Sequence, residues 1–280
     1  MASHSVTIDF EQLRPLAFSI AYRMLGSVAE AEDVVQEAFL RLHRTQHVEH
    51  PKAFLATVTT RLAIDQLRSA RARRETYPGP WLPEPVVTDP RPDDDSVSMA
   101  VLVTLERLSP VERAVFLLHD VFDYGYDEIA EIVGKSRDNT RQIAVRARRH
   151  VDAERPRFDP SREAREALAS RFFAAIRDGD LEELVALLAE DAVATGDGGG
   201  KAPARGTPLR GGKKVARFML GVARLGERRA YEIEPAEVNG QPGALVREDG
   251  RVITAMSLDV VGGRIAAIRS VANPDKLRHL

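Results

Sequence analysis

Six prolines fall between Pro78 and Pro92, in the run Pro78-Gly79-Pro80-Trp81-Leu82-Pro83-Glu84-Pro85 followed by Pro90 and Pro92. No helix or central strand crosses such a stretch, because each proline fixes φ and removes a backbone donor. Residues 76–95 therefore read as a linker, and the sequence on either side folds as separate modules. A second break, Arg155-Pro156-Arg157-Phe158-Asp159-Pro160, sets off the remainder. For 280 residues, two or three domains are the natural division. The expected boundaries are 1–75, 76–95 (linker), 96–155 and 161–280.

The modules differ in texture. The first is built of helix formers. Leu13, Leu16, Ala17, Ile20, Ala21 and Met24 recur at helical spacing between Asp9 and Leu25, and Gly26-Ser27 ends that stripe. From Ala29 to Arg44, Val34, Val35, Ala38, Phe39 and Leu42 share a buried face. Asp33, Gln36, Glu37, Leu40 and Arg41 share another. Leu40 is out of place among polar residues, and an apolar residue so placed marks a contact surface. From Lys52 to Glu75, Phe54, Leu55, Val58, Leu62 and Leu67 point inward. Arg61, Arg68, Arg71, Arg73 and Arg74 gather toward the end, denser than a helix dipole requires. Arginine is the side chain best suited to phosphates and guanine edges.

In the second module, Ser109 precedes Pro110 as cap and first helical residue of a helix to His119, after one over Met99–Leu108. Then comes a short helix from Gly125, a turn at Gly134-Lys135-Ser136, and a longer basic helix from Arg137 to Val151. Helix, glycine turn and basic helix are the parts of a helix-turn-helix. Thr140, Ala144, Ala147 and Val151 fall on the scaffold side. Arg137, Arg141, Gln142, Val145, Arg146 and Arg149 are left for a DNA groove. The net charge of −2 does not announce this, since the balance is local.

The third module opens with a helical pattern over Ser161–Leu188, broken at Asp178-Gly179-Asp180. It then turns to short strands at Val193–Thr195, Tyr231–Ile233, Ala244–Arg247, Val252–Leu258 and Ile265–Ser270. Asn239-Gly240, Asp249-Gly250 and Gly262-Gly263 are turn signals between them. The expectation is α+β, helices on a curved antiparallel sheet.

Ala31–Leu42 resembles region 2.2 of the extracytoplasmic-function sigma factors, the helix that in that family binds the polymerase clamp. Phe54 to Arg68 resembles the segment that melts and reads the −10 element. Tyr126–Arg148 resembles region 4.2, which reads the −35 element. The third module is similar to the SnoaL-like C-terminal domain of one group of these factors. That group's signatures match Trp81-Leu82-Pro83-Glu84-Pro85, Asp197-Gly198-Gly199-Gly200-Lys201 and Asn273-Pro274-Asp275-Lys276-Leu277. The resemblance implies a multidomain protein with two all-α sigma domains and a C-terminal α+β SnoaL-like cone. It implies core RNA polymerase and promoter DNA as partners, with regulation in cis by the cone. It places polymerase binding on Asp33, Gln36, Glu37, Leu40 and Arg41. It places −10 contacts on Arg61, Asp65, Arg68, Arg71, Arg73 and Arg74, and −35 contacts on the six residues from Arg137 to Arg149 named above. The three signature segments become the regulatory residues. One departure stands: many family members carry Asn where this chain has Arg61, so single-base readout there does not transfer.

Asp191, Asp197, Tyr231, Asp259 and His279 are the groups in the third module suited to acid–base chemistry. Nothing in their spacing brings them together, and Asp197 reads more simply as a turn residue in a glycine-rich loop. Metal-ligand spacing is absent and no cofactor is expected. The reading is of a non-enzyme, with a small-molecule ligand of the apolar cone left open. The alternative is a one-component regulator, a helix-turn-helix fused to a ligand-sensing cone. With no cysteines, no membrane-length apolar run and no signal-like start, the expected setting is cytoplasmic with no membrane partner.

Overall fold

The structure is a computed structural model. It describes residues 10–45, 47–88, 98–152, 161–227 and 229–280, without the side chains of residues 10, 11 and 71–73. The chain forms two compact units. One joins Met1–Glu75 to Thr104–Glu154, and the other joins Thr76–Val103 to Arg155–Leu280.

In the first unit, α1 (Phe10–Leu25), α2 (Val28–Arg44) and α3 (Pro51–Glu75) pack on one another. Ser27 accepts a hydrogen bond from the Glu30 amide and so starts α2 as its sequence predicts. Ala38, Leu42 and Leu55 form the centre of this bundle, with Leu13, Phe39 and Phe54 around them. α4 (Met99–Leu105), whose residues up to Val103 count with the second unit, stops three residues short of the predicted Leu108. α5 (Pro110–Phe116) begins in a full capping box between Ser109 and Glu112. The predicted continuation to His119 departs from α geometry, since Leu117–Val121 is a π-helical turn. α6 (Tyr126–Val133) ends at Gly134, whose φ of 65° is the left-handed turn between the two helices of the motif. α7 (Arg137–Asp152) follows. Val115, Leu118, Ile129, Ile132, Ile143 and Ala144 seal α5, α6 and α7 together. α3 also packs against α5 and α6, so both helical modules belong to one body.

The second unit is a six-stranded sheet in the order β2-β1-β6-β5-β4-β3, with β1 parallel to β6 and the other pairs antiparallel. The strands are β1 (Leu188–Asp197), β2 (Leu209–Arg210), β3 (Glu232–Val238), β4 (Gln241–Glu248), β5 (Arg251–Val261) and β6 (Arg264–Val271). α8 (Arg162–Asp178), α9 (Leu181–Leu187) and α10 (Gly212–Glu227) accompany it. Gly179, at φ 72°, makes the predicted break between α8 and α9. Phe172, Leu184, Met219, Met256, Leu258 and Ile268 lie in the main core between helices and sheet. Strand side chains alternate between faces, and Ala255 and Val271 lie in a second, smaller core with Leu82, Val238, Leu245 and Leu277. This is the predicted α+β fold, with two additions. Both α10 and β2 escaped the sequence pattern, and every strand is longer than expected.

Candidate functional sites

The residues assigned to polymerase binding lie along α2. Asp33, Gln36, Leu40 and Arg41 are exposed, and Leu40 keeps 42% of its surface in solvent. Glu37 is half-buried and accepts from Arg41 Nε at 2.7 Å, which fixes both side chains in one orientation. The face is contiguous because i, i+3 and i+4 positions are neighbours on a helix.

On α7 the expected division holds: Thr140, Ala144, Ala147 and Val151 are buried, while Arg137, Arg141, Gln142, Val145, Arg146 and Arg149 are exposed. Val145 is 40% exposed between arginines, a small apolar contact in a cationic surface. Arg137 lies 3.3 Å from Asp127 and Arg146 lies 3.7 Å from Glu112. The Arg137–Asp127 pair is solvent-facing and weakly held, whereas Arg146 is exposed and its partner Glu112 largely buried. Burial comes first among the influences on Glu112, yet its bonds from Ser109 and the charge of Arg146 hold its carboxyl below the ordinary value.

On α3 the assigned residues behave differently from one another. Asp65 and Arg68 are exposed and paired at 3.0 Å. Arg71 and Arg73 lie outside the described side chains. Arg74 is held: it contacts Glu106 and donates to the carbonyl of Leu25 at 2.5 Å. Glu106 also accepts from Arg113 at 2.5 Å, and Arg113, fully buried, donates to the carbonyl of Arg23 at 2.9 Å. Arg61 reaches across to the end of α6, where Nε donates to the carbonyl of Ile132 at 2.9 Å and Nη2 to that of Glu131 at 2.8 Å. These carbonyls belong to the last turn of α6, which leaves acceptors unsatisfied by its own helix. Arg61, Arg74, Glu106 and Arg113 thus knit the first helical module to the second with polar contacts, and sequence reasoning found none of these pairings.

The three signature segments of the second unit meet at Asp197. Its side chain is fully buried at the end of β1. Oδ1 accepts from the Tyr77 hydroxyl at 2.6 Å and the Gly199 amide at 3.0 Å. Oδ2 accepts from the Leu82 amide at 2.9 Å and the Lys276 ammonium at 2.7 Å. The turn-residue reading of Asp197 is therefore corrected: the carboxylate is the centre of a clamp on residues 77–82. Lys276 also donates to the Leu82 carbonyl, and its ammonium lies 4.1 Å from the Trp81 ring and 5.0 Å from the Tyr77 ring. Asn273 Nδ2 donates to the Tyr77 hydroxyl at 2.8 Å. Burial first, and then the Asp197 carboxylate, raise the Tyr77 hydroxyl well above the ordinary tyrosine value. Gly199 has φ 58°, and a β-carbon there would stand 2.2 Å from Asn273 Nδ2, so a side chain would break the clamp. Gly198 and Gly200 are as tightly hemmed, by the Ala202 carbonyl and Pro78. Lys201 and Arg278 both hold Asp275, and the hydrogen bond from Lys201 keeps its carboxyl below the ordinary range. Pro274 is exposed, and Leu277 joins Leu82 in the smaller core. Pro83, Glu84 and Pro85 are buried, and His279 meets the Pro85 carbonyl at 2.7 Å.

Beyond the clamp the same segment extends the sheet. Val87 bridges to Val238, the Thr88 amide donates to the Glu237 carbonyl at 3.0 Å, and the Asn239 amide donates to the Val86 carbonyl at 2.8 Å. The first half of the predicted linker is therefore ordered, and residues 89–97 lie outside the described residues. The acid–base candidates are dispersed: Asp259 pairs with Arg269, Tyr231 with Arg229, His279 with Pro85, and Asp191 is exposed.

Residues 10–73 match the family model of Sigma-70 region 2, and residues 98–151 match that of Sigma-70, region 4. Across 96% of its length the chain is 43% identical to the ECF RNA polymerase sigma factor SigJ of Mycobacterium tuberculosis, of which it covers 92%. The chain belongs to the ECF sigma factors. It is also 32% identical, over 99% of its length and 97% of the relative's, to the probable ECF sigma factor SigI of M. tuberculosis. The crystal structure of M. tuberculosis SigJ superimposes with a TM-score of 0.79 at 40% identity, covering 96% of this chain and 97% of that one. A relative matched from end to end, through both sigma regions and the α+β domain, decides for an alternative sigma factor over a one-component regulator. Sigma factors bind core RNA polymerase and promoter DNA. Among the described residues no helix is long and apolar enough to cross a membrane.

Proposed function

We propose that this sigma factor has a closed form that must open to direct initiation, and that its C-terminal domain tunes that opening in cis. The observation that carries the reading is the pair of hydrogen bonds from Arg61, on the −10 module, to Glu131 and Ile132 on the −35 module. The −10 and −35 elements are about 25 base pairs apart, or roughly 85 Å at 3.4 Å per step. Side chains in direct contact cannot serve both at once. The polar contacts of the joint are arginines bonded to carbonyls and to Glu106, groups that water or polymerase can also satisfy. The Arg61 pair of bonds lies at the surface, so it contributes little net stability and is suited to being exchanged.

In this reading α2 docks on polymerase through Asp33, Gln36, Glu37, Leu40 and Arg41. The exposed residues of α7 read the −35 element, and Arg61, Asp65, Arg68, Arg71, Arg73 and Arg74 serve the −10 element once released. The Asp197 clamp fixes residues 77–82, part of the stretch that joins the two sigma modules, and so sets how much chain is available to span the promoter. Regulation is by packing and not by catalysis. For a small-molecule ligand the domain offers a cleft of about 640 Å³ between α8 and the β3–β4 hairpin.

The chain has no cysteine, so a pair introduced at exposed positions labels it cleanly. With Lys52→Cys and Lys135→Cys, exposed and outside the assigned contacts, carrying a donor and an acceptor dye, energy transfer is high in the free protein and falls on adding core polymerase. Transfer that stays high in a transcribing complex overturns the closed-form reading. Trp81→Ala and Lys201→Ala shift run-off transcription across a polymerase titration if the clamp sets reach. Equal transcription by both variants and wild type removes the regulatory role and leaves the sigma assignment intact.

A further inference from the structure

The chain has 40 basic and 42 acidic residues, yet one stretch departs from this balance. Between Gly198 and Gly226 stand Lys201, Arg205, Arg210, Lys213, Lys214, Arg217 and Arg224, with no Asp or Glu among them. Lys201 holds Asp275, and Arg205 lies 5.6 Å from the Phe218 ring. The other five are exposed and have no acidic partner among the described residues. Elsewhere in the same domain arginines are paired: Arg162 with Glu166 and Glu237, Arg171 with Glu183, Arg247 with Glu234. A mostly cationic surface, in a domain where several other arginines are paired, is suited to an anion supplied from outside.

The cations are arranged as well as concentrated. At 3.6 residues per turn, Lys213, Arg217 and Arg224 fall within about 40° of one another on α10 and span about 16 Å. Lys214 lies about a quarter turn away, and Lys213, Lys214 and Arg264, with the single carboxylate Glu190, line a cleft of about 430 Å³ at the start of the helix. Helices α2, α5, α6, α7, α8 and α9 each place an acidic residue in the first turn, whereas α10 places two lysines there. That arrangement opposes the helix dipole, so folding does not explain it.

We propose that this face of the C-terminal domain contacts the phosphate backbone of duplex DNA. A span of about 16 Å covers about five steps of one strand at 3.4 Å each. The chain belongs to a family whose members hold promoter DNA, so tethering keeps phosphates at high effective concentration near this face. A lipid surface fits less well. The exposed apolar residues of α10 are Val222, about 140° from the cationic stripe, and Leu225, about 80° from it, while Val215, Ala216, Met219 and Leu220 are committed to the core. Two side chains are too few to anchor a helix in a bilayer. The interaction is sequence-independent, so it adds affinity and salt dependence without altering which promoter is chosen.

The test uses holoenzyme reconstituted with the full chain, titrated on a fluorescent promoter duplex and on a scrambled duplex between 50 and 200 mM salt. The variant carries Lys213→Gln, Lys214→Gln, Arg217→Gln and Arg224→Gln, all exposed and outside both sigma regions. Each phosphate no longer neutralised flattens the log–log salt slope by about 0.9, so up to about 3.6 for all four. The same change is expected on both duplexes, with the preference for promoter preserved. Gly221→Lys is the converse variant, since a β-carbon there meets nothing within 4 Å, and it steepens the slope. Wild-type and quadruple-variant slopes that coincide, with both proteins folded by circular dichroism, overturn the proposal. So does a variant that loses only binding to phosphatidylglycerol vesicles or only affinity for core polymerase. A wild-type holoenzyme that prefers neither duplex would instead count against promoter reading by α3 and α7.

Discussion

Neutralising Asp197 is expected to cost more than removing its partner Lys276. Both side chains are out of solvent, with Asp197 0% and Lys276 8% exposed, and they stand 2.7 Å apart. Asp197→Asn keeps one acceptor oxygen, enough for the Tyr77 hydroxyl and Gly199 amide or for the Leu82 amide but not for both sides, and it leaves the ammonium buried without a counter-charge. Stranding one member of a buried pair costs about 3–5 kcal/mol. Lys276→Met strands the carboxylate instead, and that carboxylate still accepts from Tyr77, Leu82 and Gly199. Hydrogen bonds to a charged group are worth about 1.5–3 kcal/mol each, so much of its burial is already offset. A cost of about 1–3 kcal/mol follows for Lys276→Met, and the double variant should cost less than the sum by about 0.5–3 kcal/mol. The readout is built in: Trp81 is the chain's only tryptophan and its ring lies 4.1 Å from the Lys276 ammonium. Urea denaturation followed by its emission reports the unit that holds the clamp. Additive single variants, or Lys276→Met as the more damaging change, would refute the assignment of Asp197 as the charge that organises the linker.

Three further outcomes follow from the geometry. Tyr77 holds its proton more tightly folded than unfolded, so its contribution is complete below about pH 10 and is lost as pH rises beyond it. In alkaline melts the Trp81 transition of wild type should weaken above that point more steeply than that of Tyr77→Phe, and parallel curves would contradict it. Glu37→Ala with Leu40→Ala should weaken binding to core polymerase in a pull-down titration without changing the melting temperature; unchanged affinity would show that α2 docks elsewhere. Arg141→Ala and Arg146→Ala should each cost about 1–3 kcal/mol on the cognate −35 duplex and relax preference at one position if they read bases. Retention of both affinity and preference in footprinting would misplace the reading surface.

Much of the helical architecture was legible because it rests on local rules. The stripe through Leu13, Leu16, Ile20 and Met24, the Ser109–Glu112 capping box and the left-handed Gly134 are decided by neighbours in sequence. The third module was harder. Residues 211–227 carry four glycines and drew no helix assignment, yet Val215, Ala216, Met219 and Leu220 supply an apolar face that the sheet completes into a helix. The strands ran longer than their β-branched centres because pairing with neighbours recruits residues of weak propensity such as Glu232 and Pro242. At the sites, exposure was legible and partnership was not. The outward faces of α2 and α7 followed from helical period. Asp197 was read as a turn residue because its glycine neighbours are adjacent in sequence, while its counter-charge, Lys276, is 79 residues away. The capping of α6 by Arg61 left no local trace either, since a 71-residue separation carries no periodicity.

The order in which the chain visits its two units has a consequence for how the protein is made. Residues up to Glu75 and Thr104–Glu154 complete the sigma unit, but Thr76–Val103 belongs to a body finished only near the C-terminus. Leu82 is held by Lys276, and 194 residues separate them. At about 5–20 residues per second, the ribosome takes roughly 10–40 s to travel from one to the other. Throughout that interval both DNA-facing modules can be complete while the strap between them has nothing to grip. The clamp therefore closes last, at or after release from the ribosome. A chain stalled or cleaved anywhere in its final domain carries a finished sigma unit with its strap unfastened, so under the closed-form reading proposed above, proteolysis from the C-terminus removes the restraint before it removes the activity.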